Sequence, residues 1–326
     1  MTADAVTTLP DGQEIRRITL RSGSMTAQLL TLGAIVQDLR IEGVDHPLVL
    51  GCDDIADYLG QARYMGAIVG RFANRIARAR FPLDGAICQT DPNFLGRHTL
   101  HGGSEGLDLQ IWRIDELAKD HALLSVTLPD GHMGFPGNLQ IRARIALEDQ
   151  ALVFDLQAET DAPTPCSLAH HGYFNLDGGA DIVGHRLWID AAQYLPVDQD
   201  MIPLPGIAEL AGTAFDFRQL REIGDSGYDH NFCLSRDATR PRRVAQLTGR
   251  SGLSMSVITD APGLQLYDGR HFADLPGLQG RRYGPRSGVA LETQIWPDAP
   301  NRPDFPHSIL RPGQTYRHHI RYGFSL

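Results

Sequence analysis

Lysine is nearly missing from this chain: among 30 basic residues only Lys119 is a lysine, and the rest are arginine. A Walker-type phosphate loop needs its lysine, and Schiff-base catalysis needs a desolvated one. Lys119 sits in Leu117-Ala118-Lys119-Asp120-His121, a stretch with the character of an exposed turn, which argues against both chemistries. No apolar run approaches the ~20 residues of a membrane span. The first residues, Met1 to Val6, have neither the basic nor the apolar region of a secretory signal. The four cysteines, Cys52, Cys88, Cys166 and Cys233, show no CxxC spacing and read as reduced thiols of a cytoplasmic protein. A net charge of −9 argues against a nucleic-acid groove or an anionic membrane surface as partner.

What is present points to strands. The 34 glycines and 20 prolines favour many turns over long helices. From Gln140 to Glu148 apolar residues alternate with mostly polar ones, the period of a half-buried strand. In the next run Leu152, Phe154, Leu156 and Ala158 face one way, and Val153, Asp155, Gln157 and Glu159 the other. Only Asp149, Gln150 and Ala151 separate the two runs, so a hairpin is predicted. Ala122 to Leu128 reads as a further strand, and Pro129-Asp130-Gly131 as the turn after it. Helical patterns are few; Arg218 to Ile223 offers one turn or two. No linker, charge block or repeat divides the chain. The expected fold is all-β, a large antiparallel β-sandwich forming a single domain over residues 1–326.

Four segments carry more polar residues than packing requires: Val69 to Ile76, Leu100 to Gly103, Ala169 to Asn175, and Ala290 to Asp298. A buried polar group must find a partner, so such placement costs stability unless the site uses it. Taken alone, each His, Arg or Glu here reads first as a structural hydrogen bond. Neighbours on a strand point to opposite faces, so His170 and His171 cannot both line one pocket. His98 with His101, and the pairs His170-His171 and His318-His319, fall in no HExxH or Cys/His framework, so no metal site is expected. Gly102-Gly103-Ser104-Glu105-Gly106 matches G-x-S-x-G, but lacks the strand-to-helix turn that gives the motif its force.

Taken in order, the segments resemble the aldose 1-epimerase (galactose mutarotase) family over nearly the whole chain. The resemblance rests on Gly70-Arg71-Phe72-Ala73-Asn74-Arg75-Ile76, Leu100-His101-Gly102-Gly103 and His171-Gly172-Tyr173-Phe174-Asn175. It continues through Tyr194-Leu195-Pro196-Val197-Asp198, Gly212 to Arg218, and Gly227-Tyr228-Asp229-His230-Asn231-Phe232. Pro262 to Tyr267, Leu291-Glu292-Thr293-Gln294 and Leu310-Arg311-Pro312-Gly313 complete it.

The resemblance implies an antiparallel β-sandwich that binds a monosaccharide in a cleft across one sheet, without a cofactor. It implies Glu292 as catalytic base and His171 as catalytic acid in ring opening of an aldose such as galactose or glucose. Asn74, Arg75, His101, Asp229 and Gln265 match sugar-binding positions, and Tyr173 lies beside the acid. A monomer or a homodimer is expected. At neutral pH Glu292 should be ionised and His171 partly protonated, because a carboxylate within ~4–6 Å raises a histidine pKa. Two positions depart from the family pattern: His170 stands where Asn is usual, and Asp268-Gly269-Arg270 where Thr-Gly-Asn is usual. Both are expected near the cleft rim, where they would bear on the choice of sugar. A hexose-6-phosphate epimerase is the nearest alternative, with Arg71 and Arg270 as the candidate phosphate ligands. A non-catalytic carbohydrate-binding protein of the same fold is another; the presence of both His171 and Glu292 argues against it.

Overall fold

The longest hairpin follows its period-two pattern. The computed structural model describes residues 3–326. In it Leu139–Glu148 and Ala151–Thr160 pair antiparallel, with Arg142 opposite Gln157 and Ile145 opposite Phe154. Leu152, Phe154, Leu156 and Ala158 are buried, while Asp155, Gln157 and Glu159 keep access to solvent. The loop is only Asp149 and Gln150, both at positive φ (46° and 56°). That left-handed reversal matches the twist of the flanking strands, and it returns Ala151 to the strand.

This hairpin sits inside a nine-stranded sheet. One edge is Arg113–Leu117 followed by His121–Leu128. Beyond the hairpin come Tyr316–Ser325, Ser254–Thr259, Arg242–Thr248, Arg186–Ile189 and Arg221–Glu222. A six-stranded sheet runs Tyr173–Phe174, Val289–Gln294, Gly263–Tyr267, Asp229–Cys233, Gln193–Tyr194, Ala208–Glu209. The pairings within both sheets are antiparallel. A four-stranded sheet from Ala3 to Ile41 adds to the packing.

One apolar cluster joins the layers of this sandwich. It takes Phe154, Leu156, Ile320 and Tyr322 from the large sheet, and Phe232, Leu264, Leu266 and Leu291 from the six-stranded one. Burying each such side chain stabilises by about 1.5–3 kcal/mol. A one-residue slip would turn the whole set to the wrong face, so register is strongly specified. The same alternation sends Asp229, Asn231, Gln265 and Glu292 to the opposite face of the six-stranded sheet, where the cleft lies.

Arg218 to Ile223 is not helical. It is a loop leading into the two-residue edge strand Arg221–Glu222. Arg218 is folded back onto Asp216 by two hydrogen bonds, Nε to Oδ1 at 2.9 Å and Nη2 to Oδ2 at 2.7 Å. Among the described residues no helix is long and apolar enough to cross a membrane.

Candidate active site

Glu292 lies mid-strand in Val289–Gln294, all six of whose residues are buried. Its strand neighbour is Gln265, and Gln265 in turn lies opposite Asn231. Three polar side chains are therefore level on one face of the sheet. Asp229, two residues before Asn231, closes this end. Its Oδ1 accepts from Gln265 Nε2 at 2.6 Å, and its Oδ2 pairs with Arg75 Nη2 at 3.0 Å.

Arg75 and His101 arrive on a second pair of short strands, Arg75–Ile76 and Thr99–Leu100. Asn74 and His101 lock the ends of that pair together. The Asn74 N–H donates to His101 Nδ1 at 3.1 Å, and the His101 N–H donates to the Asn74 carbonyl at 3.0 Å. Asn74 Oδ1 accepts from Arg75 Nη1 at 3.3 Å and so fixes the guanidinium from a second side. Asn74 and His101 both have positive φ (67° and 51°), a conformation that concentrates at functional sites. Gly102 must follow because a Cβ there would meet the Gly70 carbonyl at 2.1 Å.

His171 completes the arrangement. Its Nε2 lies 3.6 Å from Glu292 Oε1, with both side chains buried. Tyr173 lies beside it, ring centres 5.1 Å apart, and packs against Phe272 at 4.8 Å. Several buried polar atoms have no protein partner: His171 Nδ1, Glu292 Oε2, Gln265 Oε1 and Arg75 Nε. Leaving such groups unpaired is costly, and the free atoms of Glu292, Gln265 and Arg75 around one buried cluster suit a binding site for a polar molecule.

Burial drives the two central groups toward their neutral forms. Desolvation pushes Glu292 up to about 8, with Asp229 adding to the rise and Arg75 opposing it. Desolvation pushes His171 down to about 4, against its own carbonyl and Asp229, with Arg75 assisting. This corrects the expectation of an ionised Glu292 beside a protonated His171: desolvation by burial is the largest cause for both groups. Of the two groups, burial thus favours Glu292 as the one that keeps a proton. His101 is likewise held well below its usual range by burial and by the neighbouring His171.

His101, His171 and Glu292 each offer a ligand atom within 4.8 Å of the others. His101 suits a metal poorly, because its Nδ1 lone pair already accepts the Asn74 N–H. The neutral ring then carries its proton on Nε2 and has no second lone pair to give.

A family model described as aldose 1-epimerase matches residues 16–323. The chain belongs to the aldose 1-epimerase family. It is 37% identical to galactose mutarotase of Rattus norvegicus over 333 residues, covering 97% of this chain and 95% of that one. It is 36% identical to aldose 1-epimerase of Escherichia coli (strain K12) over 335 residues, covering 97% and 96%. The solved structure of a GalM/aldose epimerase homologue from C. elegans superimposes with a TM-score of 0.89 at 29% identity, covering 95% of this chain and 98% of that one. The protein is thus an isomerase of the aldose 1-epimerase type.

Three residues of the epimerase lie elsewhere than the sequence suggested. His170 is fully buried between the sheets and not at the rim. It stacks on Phe154 with ring centres 4.4 Å apart, and burial pushes its pKa down to about 3. Asp268 is also fully buried, near Arg286 at 3.4 Å, and accepts from the Arg270 N–H at 3.2 Å, so it shapes a turn. Arg71 is 1% exposed, and its guanidinium donates to the carbonyls of Pro129, Pro136 and Gly137 and to Thr164 Oγ1. Buried and with both Nη atoms engaged, it is not free to bind a phosphate. Ser104 is exposed in a turn, with its hydroxyl 3.5 Å from Met133 Sδ. His98 is engaged by the Arg78 N–H and Asp200.

Two aromatic neighbours escaped sequence reasoning. Phe94 lies under the Arg75 guanidinium at 4.8 Å, and Tyr64 packs against His101 with ring centres 4.8 Å apart. Neither belongs to a motif with a chemical signature.

Proposed function

We propose that the protein interconverts the α and β anomers of an aldose such as galactose or glucose, with Glu292 as base and His171 as acid. The observation that carries this reading is the buried His171–Glu292 pair, 3.6 Å apart, with one atom of each free of protein partners. In its ionised form Glu292 removes the proton from the C1 hydroxyl, and those electrons form the C1 carbonyl. The C1–O5 bond breaks, its electrons pass to O5, and His171 protonates O5. Rotation about C1–C2 presents the other face of the aldehyde. Closure then reverses both transfers. Positioned acid–base groups of this kind contribute typically ~10²–10⁴ in rate.

The remaining groups would hold the sugar. Arg75, Asn74 and His101 form one wall, Asp229 and Gln265 the adjoining floor, and Tyr173 an apolar face against the ring. His101, kept neutral, donates through Nε2, and Arg75 supplies positive charge near the reacting oxygens. The occupied state of Arg71 gives no support to a hexose-6-phosphate substrate.

Polarimetry of freshly dissolved α-D-glucose and α-D-galactose tests the proposal. Enzyme at catalytic concentration should speed the approach to the rotational equilibrium of at least one of them. Unchanged rates across a panel of aldoses would overturn it.

A further inference from the structure

An imidazole that transfers protons is usually aimed by a hydrogen bond at its far nitrogen. No neighbouring residue supplies such a bond to His171: Nδ1 has no partner beyond the residue's own carbonyl. The backbone is well held. Its N–H donates to the Ala67 carbonyl at 2.8 Å, and its carbonyl accepts from the Gly66 N–H at 2.9 Å. Those bonds fix the Cα position but leave the ring free to turn. What surrounds the ring is aromatic. Tyr64 lies nearly parallel to it (20°, centres 6.2 Å apart), with His101 and Tyr173 each at 5.1 Å.

Tyr64 holds this place from an unfavourable backbone conformation, φ 72°, which is uncommon for any residue but glycine and more so for a bulky one. Its surroundings tie it to both histidine segments. The Ala67 N–H donates to the Tyr64 carbonyl at 3.0 Å, closing the turn that also bonds His171. The Arg63 guanidinium lies 4.8 Å from the Tyr64 ring centre and pairs with Asp108 at 2.8 Å. Arg63 also donates to the carbonyls of Gly103 and Ser104, in the loop after His101. Asn93 Nδ2 reaches Tyr64 Oη at 3.5 Å and the Leu100 carbonyl at 2.9 Å, immediately before His101.

We propose that Tyr64 is a positioning residue: its ring, held at positive φ, aims the His171 imidazole at Glu292 by packing where no hydrogen bond does so. The proposal rests on the reading of His171 as the acid. Three substitutions separate its parts. Tyr64→Phe keeps the ring. Tyr64→Leu keeps bulk without an aromatic plane. Tyr64→Gly accepts the backbone conformation without strain and removes the side chain.

The Leu and Gly variants should lose about tenfold to a hundredfold in kcat, the scale of a small misplacement of a reacting group, with KM changed by less than about twofold. The Phe variant should stay within about threefold of the parent protein. In ¹⁵N NMR of the imidazoles, the signal that disappears in His171→Asn should shift in the Leu and Gly variants and not in Phe. Parent-like turnover in Leu and Gly, a rate loss without a shifted His171 signal, or a Phe variant as impaired as Gly would each overturn the proposal. Should the Gly variant fail to fold, the Leu–Phe comparison reads the same question. Normal turnover in His171→Asn would remove the acid assignment, while the NMR comparison would still report whether Tyr64 orients the ring.

Discussion

Replacing Glu292 with Gln removes the proposed base while leaving the cleft's shape nearly unchanged, and the structure gives the change two opposite consequences. Loss of the base should lower kcat by ~10²–10⁴, or about 3–5 kcal/mol of transition-state stabilisation. Stability should move the other way. Burial raises the folded-state pKa of Glu292 to about 8 from an ordinary 4.5. Above pH 4.5 the unfolded chain therefore releases a proton that the folded protein keeps. Stability is lost as pH rises from about 4.5 to about 8, and the loss is complete above that. Each tenfold in proton affinity is about 1.4 kcal/mol, so the full penalty is on the order of 5 kcal/mol. The substituted amide has no proton to lose and escapes it. The amide forfeits no protein hydrogen bond at Oε2, which has no partner to begin with. Thermal unfolding should show E292Q above the parent by roughly 5 °C at about pH 8.5, with the gap closing near pH 5. Polarimetry on the same samples measures the rate. Near-normal turnover, or a stability gain equal at both pH values, would refute the reasoning.

The remaining predictions use the same cleft and its supports. The pH dependence of kcat/KM should be a bell with limbs near 4 and 8, where the pair gains its second proton and loses its only one; an alkaline limb absent up to about pH 9.5 would contradict this. Asp229→Asn should shift both limbs to lower pH and raise KM. Asp229 holds both pKa values up, and it also anchors Arg75 and Gln265; upward movement of either limb would count against the charge assignment. Arg71→Met should destabilise by roughly 2–4 kcal/mol, because three carbonyls and the Thr164 hydroxyl lose a buried donor. Chemical denaturation measures that loss, and the folded fraction should keep its kcat.

Much of the fold could be read in the chain because burial writes a short period. Leu152, Phe154, Leu156 and Ala158 alternate with polar residues, and two residues suffice to reverse the strand. Arg218 to Ile223 misled because a two-residue edge strand is too short to show any period, and its conformation is set by Asp216 and the neighbouring strand. Within the site, ordered motifs singled out all eight candidate residues, and the structure gathers them around the His171–Glu292 pair. Alternation could say that His170 and His171 face opposite ways but not what each would meet. Only the packed sheets show that His170 stacks on Phe154. Arg71 stood out as a charge among apolar residues, yet its partners lie on a loop at 129–137 and at Thr164, which only the tertiary fold brings to it. Tyr64 carries no signal at all, because its role comes from one backbone angle and from contacts with distant segments.

The reversal of the expected proton state bears on the proposed mechanism. Ring opening begins with an anionic Glu292 and a cationic His171, and it ends with both neutral and the proton on Glu292. That final distribution is the one desolvation favours. On the proposed mechanism a cyclic sugar must draw the proton across to His171 before it can react. Asp229 already opposes the desolvation of His171, and sugar hydroxyls donating to Glu292 Oε2 would stabilise its anion. The cost of the ionised pair thus falls as the cleft fills. An enzyme that treats both anomers alike needs such a balance, since closure on either face starts from the same neutral pair.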